Sequence, residues 1–135
     1  MSALTRDRAT SYREGIEVEF PVAAATKIYA GSMVCVNAAG FAVPAADTSG
    51  YRFAGVALEQ VDNTAGADGV KMIRLRRTGV FEFDAAALSQ AKVGNAMYSV
   101  NDQTFGDTGS VTNHIAVGVL VKYVSATKGW IDIAR

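Results

Sequence analysis

The chain carries one imidazole, His114, and one thiol, Cys35, so the chemistry it can build from these groups is narrow. A histidine working as a general base needs a nucleophile beside it and a carboxylate to orient it. His114 follows Thr112-Asn113 and precedes the apolar run that opens at Ile115, and nothing local supplies that pair. It reads as a loop or strand-edge histidine. Cys35 stands in Met33-Val34-Cys35-Val36, an apolar setting. Reactive thiols sit in electropositive, partly exposed places, so Cys35 reads as a small buried hydrophobe. Glu17 with Glu19, and Glu82 with Asp84, fall on one face of a strand in each case. Two carboxylates so placed can form an acid–base or metal pair, or simply the wet face of a half-buried strand. Asp62, Asp68, Asp102 and Asp107 lie in turn-like sequence, where an aspartate bonds nearby backbone. No EF-hand spacing links them, and no glycine-rich phosphate loop is present. The expectation is a protein with no catalytic residues, no cofactor and no metal.

Charge is concentrated in two places. Val70-Lys71-Met72-Ile73-Arg74-Leu75-Arg76-Arg77 is a basic run in which Arg74 and Arg76 point one way and Ile73 and Leu75 the other. It is open to three readings: an ion-paired or solvated sheet face, a protein-contact stripe, or a nucleic-acid contact. The last is disfavoured because no aromatics are interleaved. The second place is the N-terminus, where Arg6, Arg8 and Arg13 alternate with polar residues around Leu4 and Tyr12. These seven residues, Leu4, Arg6, Arg8, Tyr12, Arg13, Arg74 and Arg76, are the candidate contact residues.

The elements that must position them follow from pattern. The chain has 135 residues, half of them hydrophobic, with 13 basic residues balancing 13 acidic ones. That is one domain's worth of core, and zero net charge disfavours general nucleic-acid binding. A single cysteine excludes an intrachain disulfide. No apolar run fits a signal peptide or a bilayer span, so a soluble protein made in a reducing cytoplasm is expected. Residues 1–15 are charged and aperiodic and read as a flexible arm. Residues 16–135 read as a single β domain. Ile16 to Val22 alternates like a half-buried strand. Met33–Val36 and Phe41–Val43 flank a turn that ends in Gly40. Further runs begin at Phe53, Val70, Thr78, Ala96, Thr104, Ile115 and Trp130. One short α-helix is expected from Asp84 to Lys92, capped by Asp84 and closed by Gly94, with a second short turn over Ala23–Ala30.

The chain also echoes itself. Gly31-to-Asn37 followed by Phe41 answers to Gly94-to-Asn101 followed by Phe105, with one residue of gap, and each leads to a Gly-Val strand at Gly55 and Gly118. The expected fold is mainly β, a compact barrel or sandwich of two similar β units sharing one core.

In order along the chain, several short motifs resemble the capsid cement, or head decoration, proteins of tailed bacteriophages. They are Gly31 to Val36, Phe53-Ala54-Gly55-Val56-Ala57, Thr78-Gly79-Val80-Phe81-Glu82-Phe83, Lys92-Val93-Gly94-Asn95-Ala96-Met97-Tyr98, Ile115-Ala116-Val117-Gly118-Val119-Leu120 and Ile131-Asp132-Ile133-Ala134-Arg135. The resemblance covers residues 16–135. The charged arm and Asn95, where an Asp is more usual, depart from the pattern. The resemblance implies a virion protein on the capsid exterior, assembled in the host cytoplasm. Its implied partner is the major capsid protein, on which it sits as a homotrimer, with no catalytic residues and no nucleic-acid or membrane contact. The alternatives are another virion component, such as a fibre base or tail protein, and a small β-barrel binding module or enzyme on a fold that tolerates many functions.

Overall fold

A computed structural model describes residues 2–11 and 15–133. Short runs of β-branched and aromatic residues between Gly, Asn and Asp turns become twelve strands. The first half holds β1 (Glu17–Pro21), β2 (Thr26–Ile28), β3 (Met33–Val36), β4 (Ala42–Pro44), β5 (Arg52–Ala57), β6 (Val61–Asn63) and β7 (Met72–Arg76). The second holds β8 (Val80–Ala86), β9 (Ala96–Ser99), β10 (Thr104–Gly106), β11 (Ala116–Ser125) and β12 (Lys128–Asp132). One sheet runs β1-β7-β5-β3-β4, a closed barrel runs β10-β8-β12-β11-β9, and β2 pairs with β6.

Read from β8, the barrel order is β8-β12-β11-β9-β10, the same path as β1-β7-β5-β3-β4. The two units are copies of one design with a 63-residue spacing over the first four matched strands, as from Gly31 to Gly94 and from Gly55 to Gly118. Their hydrogen bonds match. Gly31 N–H donates to Ala57 O at 2.8 Å, and Gly94 N–H donates to Leu120 O at 2.8 Å. Ala57 N–H reaches Ser32 O at 2.9 Å, and Leu120 N–H reaches Asn95 O at 3.0 Å. The spacing drops to 56 at the last strand, where Arg77 N–H to Ile16 O answers to Ile133 N–H to Gly79 O. The first unit is therefore longer between its last two matched strands, where it holds β6 and a loop. The strand ladders need no gap around β3 and β9: Val36 pairs with Ala42, and Ser99 pairs with Phe105. Phe105 thus answers to Ala42, not to Phe41 as the sequence match had it.

Gly55 and Gly118 show what the repeat protects. A Cβ on either would stand 2.5 Å from the carbonyl oxygen of Arg76 or 2.4 Å from that of Asp132. Each sits at a β-bulge, where strands approach too closely for any side chain.

The units differ at one seam. β8 and β10 pair in parallel over three residues and close the second barrel. In the first, β1 and β4 meet only at the parallel bridge Val22–Ala42. The bond Asp84 N–H to Gln103 O, at 3.0 Å, helps close the second seam. Its counterpart would need an N–H on Pro21, which has none.

Two apolar clusters form the core. Val22, Val34, Ala42, Ala57, Ile73 and Leu75 fill the first unit. Ala85, Met97, Phe105, Leu120 and Ile131, the counterparts of all but Ile73, fill the second, in a cluster that also takes in Met33, Cys35, Val43 and Val56 of the first. One core thus spans both units.

The α-helix expected from Asp84 to Lys92 is absent. Asp84, Ala85 and Ala86 continue β8, all three paired with β10 and Asp84 with β12 as well, and only Gln90–Lys92 forms a 3₁₀ turn. Alternation from Val80 onward and two ladders of bonds outweigh the helix propensity of three alanines, and a helix this short gains little alone. Gly94 does adopt the left-handed conformation, at φ 92°, after the 3₁₀ turn. Within Ala23–Ala30, Thr26–Ile28 is a strand rather than a turn, paired with β6.

Candidate interaction surface

The residues singled out for chemistry lie apart. Cys35 is fully buried, and burial pushes its thiol up to about 12, so it stays protonated and inert. His114 is exposed, with Nε2 3.2 Å from Thr108 O and its ring edge-on to Tyr98 at 5.3 Å. It lines a shallow cleft with Tyr51, Arg52 and Phe53. Its turn is held by Asp47, whose carboxylate accepts the N–H groups of Thr112 and Asn113 at 2.8 Å each. These bonds hold the Asp47 carboxyl below its ordinary range. Among the described residues, no group of His, Cys, Asp and Glu converges to hold a metal ion.

Of the turn aspartates, Asp62 and Asp107 bond nearby backbone as expected. Asp62 accepts from Thr64 N–H at 3.0 Å and Asp107 from Gly109 N–H at 3.1 Å. Asp107 also pairs with Lys92 at 2.6 Å, which ties the turn after β10 to the 3₁₀ turn. Asp68 reaches farther, accepting from Ala24 N–H at 2.7 Å.

The basic run lies on β7, beside β1. The ladder sets Glu17 opposite Arg76 and Glu19 opposite Arg74. Arg74 also bonds Glu59 at 3.0 Å and stands 3.9 Å from Glu17. The stripe that looks positive in sequence is a ladder of opposite charges, because acidic residues reach it from β1 and from Glu59 after β5. Sequence alone hides this, since the register between distant strands cannot be read from either one.

The arm has a different character. Residues 2–11 are exposed throughout, Leu4 is 72% exposed, and Arg6 and Arg8 stand in solvent. Tyr12 and Arg13 lie outside the described residues. Sequence reasoning did not single out the outer face of the second unit. There Val80, Val119 and Val121 are between 40 and 48% exposed, on the strands flanking β12 and its half-buried Trp130. The single tryptophan at an alternating, outward position was the available signal.

No protein-family model, curated protein or solved structure matches the chain.

Proposed function

We propose that this protein is a capsid decoration protein of a tailed bacteriophage, binding the outer surface of the expanded head and clamping neighbouring major capsid subunits. The reading is carried by the order of its short motifs from Gly31 to Arg135, which resembles that family. The mechanism is mass action: a ligand that binds only the assembled, expanded lattice stabilises that lattice against the pressure of packaged DNA. The exposed arm supports a contact role. An extended segment beside a β domain gains main-chain hydrogen bonds by adding a strand to a neighbouring sheet. Leu4 and Tyr12 supply apolar anchors, and Arg6, Arg8 and Arg13 supply charge-assisted bonds to acidic groups. Arg74, paired with Glu59 and Glu17, and Arg76, which faces Glu17 across the ladder, are the weaker contact candidates, since a partner must first compete with these carboxylates.

The test is removal of residues 1–14 and co-sedimentation with expanded capsids over a salt series. The truncated protein keeps its fold, binds more weakly, and shows a shallower salt dependence because the arginines are gone. Unchanged affinity moves the contact to the sheet face that carries Arg74 and Arg76. No binding by the intact chain refutes the capsid reading.

A further inference from the structure

The duplication gives each surface position of one barrel-like unit a counterpart in the other. On the first unit, β3, β4 and β5 turn Met33, Cys35, Val43 and Val56 away from that unit's own core. All four are buried, in the cluster that fills the second unit. Their counterparts are Ala96, Tyr98, Gly106 and Val119. Gly106 is buried beside Ser110, but Ala96 is exposed, Tyr98 is half-buried and Val119 is 40% exposed. A two-fold relation would bury the same face on both units. The face is buried on one only, so the contact between the units is head-to-tail.

A head-to-tail contact leaves two surfaces unused. One is the Val119 face of the second unit. The other is found by asking what the second unit uses to grip the first. Its loops do so at Asp102, whose carbonyl accepts Met33 N–H at 2.8 Å, and at Thr112 and Asn113, which donate to Asp47. Their counterparts on the first unit are Ala39, Ser49 and Gly50, all three outside strands and exposed. Each molecule thus carries counterparts of both halves of a contact it already makes once internally, with Ser110 standing where the first unit has Asp47.

We infer that the face centred on Val119 is a self-association surface, and that its occupant is the Ala39–Ser49 end of a second copy of this chain. The occupant is identified by precedent within the chain, since the matching face of the first unit is covered by loops at the matching positions of the second. Where Ile115 stands buried in the internal contact, the counterpart is Arg52, exposed and able to lay its stem beside Tyr98. Head-to-tail contacts of this kind close into rings when the rotation between copies allows, which would give the implied trimer its interface. The inference does not rest on the capsid reading, and capsid-free protein tests it.

The experiment is sedimentation of the full chain over a concentration series, alongside V119R and the cysteine substitutions S110C and S49C, chosen because their counterparts Asp47 and Thr112 meet in the internal contact. The wild type sediments above the mass of one chain as concentration rises. V119R keeps its circular dichroism and melting temperature, because the site is exposed, and associates roughly tenfold more weakly or worse. Under oxidation, a mixture of S110C and S49C forms disulfide dimers faster than either variant alone; buried Cys35 stays silent. A wild type that is monomeric at every concentration overturns the inference, as does V119R associating like wild type. S110C alone or S49C alone cross-linking as fast as the mixture overturns the head-to-tail geometry, which seats residue 49 of one copy on residue 110 of the next.

Discussion

Ser99 sits fully buried on β9 with its Oγ unpartnered, and its counterpart in the first unit is Val36. A buried hydroxyl without a partner keeps its desolvation cost, on the order of 1–3 kcal/mol. Ser99→Val, the residue the duplicate already uses, removes that cost and is expected to raise stability by about 1 kcal/mol, read as a higher denaturant midpoint with an unchanged slope. A lower midpoint would mean that the pocket is too tight for the added methyls. Asp47 makes a prediction of a different kind. Hydrogen bonds from Thr112 and Asn113 favour its ionised form in the fold, so its folded pKa lies below its unfolded one. Its contribution is therefore complete above the ordinary carboxylate range and is lost as pH falls through the depressed value. Asp62, held low chiefly by Thr64, and Asp107, held low chiefly by Lys92, shift the same way. Asp47→Ala isolates one share of that slope. The variant should be less stable than wild type at neutral pH, and the gap should narrow as urea titrations move to acid. Much at this scale is visible in the sequence, because the burial of Cys35 follows from its apolar neighbours. The pairing of Asp47 with residues 65 and 66 positions away does not.

At the scale of elements, local alternation marks most strands well, while the longer-range partners decide the rest. Asp84–Lys92 reads as a helix because alanines have high helix propensity and Asp84 is a good cap. It fails because Ala85 continues an alternation begun at Val80, pairs with Phe105 on β10 and donates its N–H to Thr127 O on the other side. β2 and β6 are invisible alone, since three residues each gain definition only by pairing with each other. The open seam of the first unit, in contrast, is written in one residue. Pro21→Ala restores the N–H that Asp84 uses in the second unit. The new ladder bond and the lost rigidity of proline offset each other, so stability should change by no more than about 1 kcal/mol. The informative measurement is hydrogen exchange. The amide at position 21 should be protected by bonding to Gly40 O, as the Asp84 amide is by Gln103 O. Rapid exchange there would show that the seam is held apart by more than the missing donor.

At the scale of the whole molecule, the duplication is legible in the spaced glycines, but the asymmetry between its copies is not. Gly31, Gly55, Gly94 and Gly118 mark positions where backbone geometry leaves little choice, so they survive as a pattern. Which copy buries its outer face depends on how the units dock, and no local signal records that. The docking has a consequence for cooperativity. Met33, Cys35, Val43 and Val56 belong to the cluster that fills the second unit, so opening the second unit uncovers the first. Two units sharing one core should unfold as one, as small domains usually do. The molecule supplies a reporter for each. Trp130 is the only tryptophan and lies on β12, so its fluorescence follows the second unit. Cys35 is the only thiol and lies on β3, so its labelling by a thiol reagent follows the first. In a denaturant series the two midpoints should coincide, with Cys35 unlabelled until Trp130 fluorescence changes. Leu120→Ala, a cavity in the second unit costing about 2–5 kcal/mol, should then move both midpoints together. Labelling of Cys35 that keeps its wild-type midpoint while Trp130 shifts would show two independently folding units, and the shared cluster would then be a contact between domains rather than a common core.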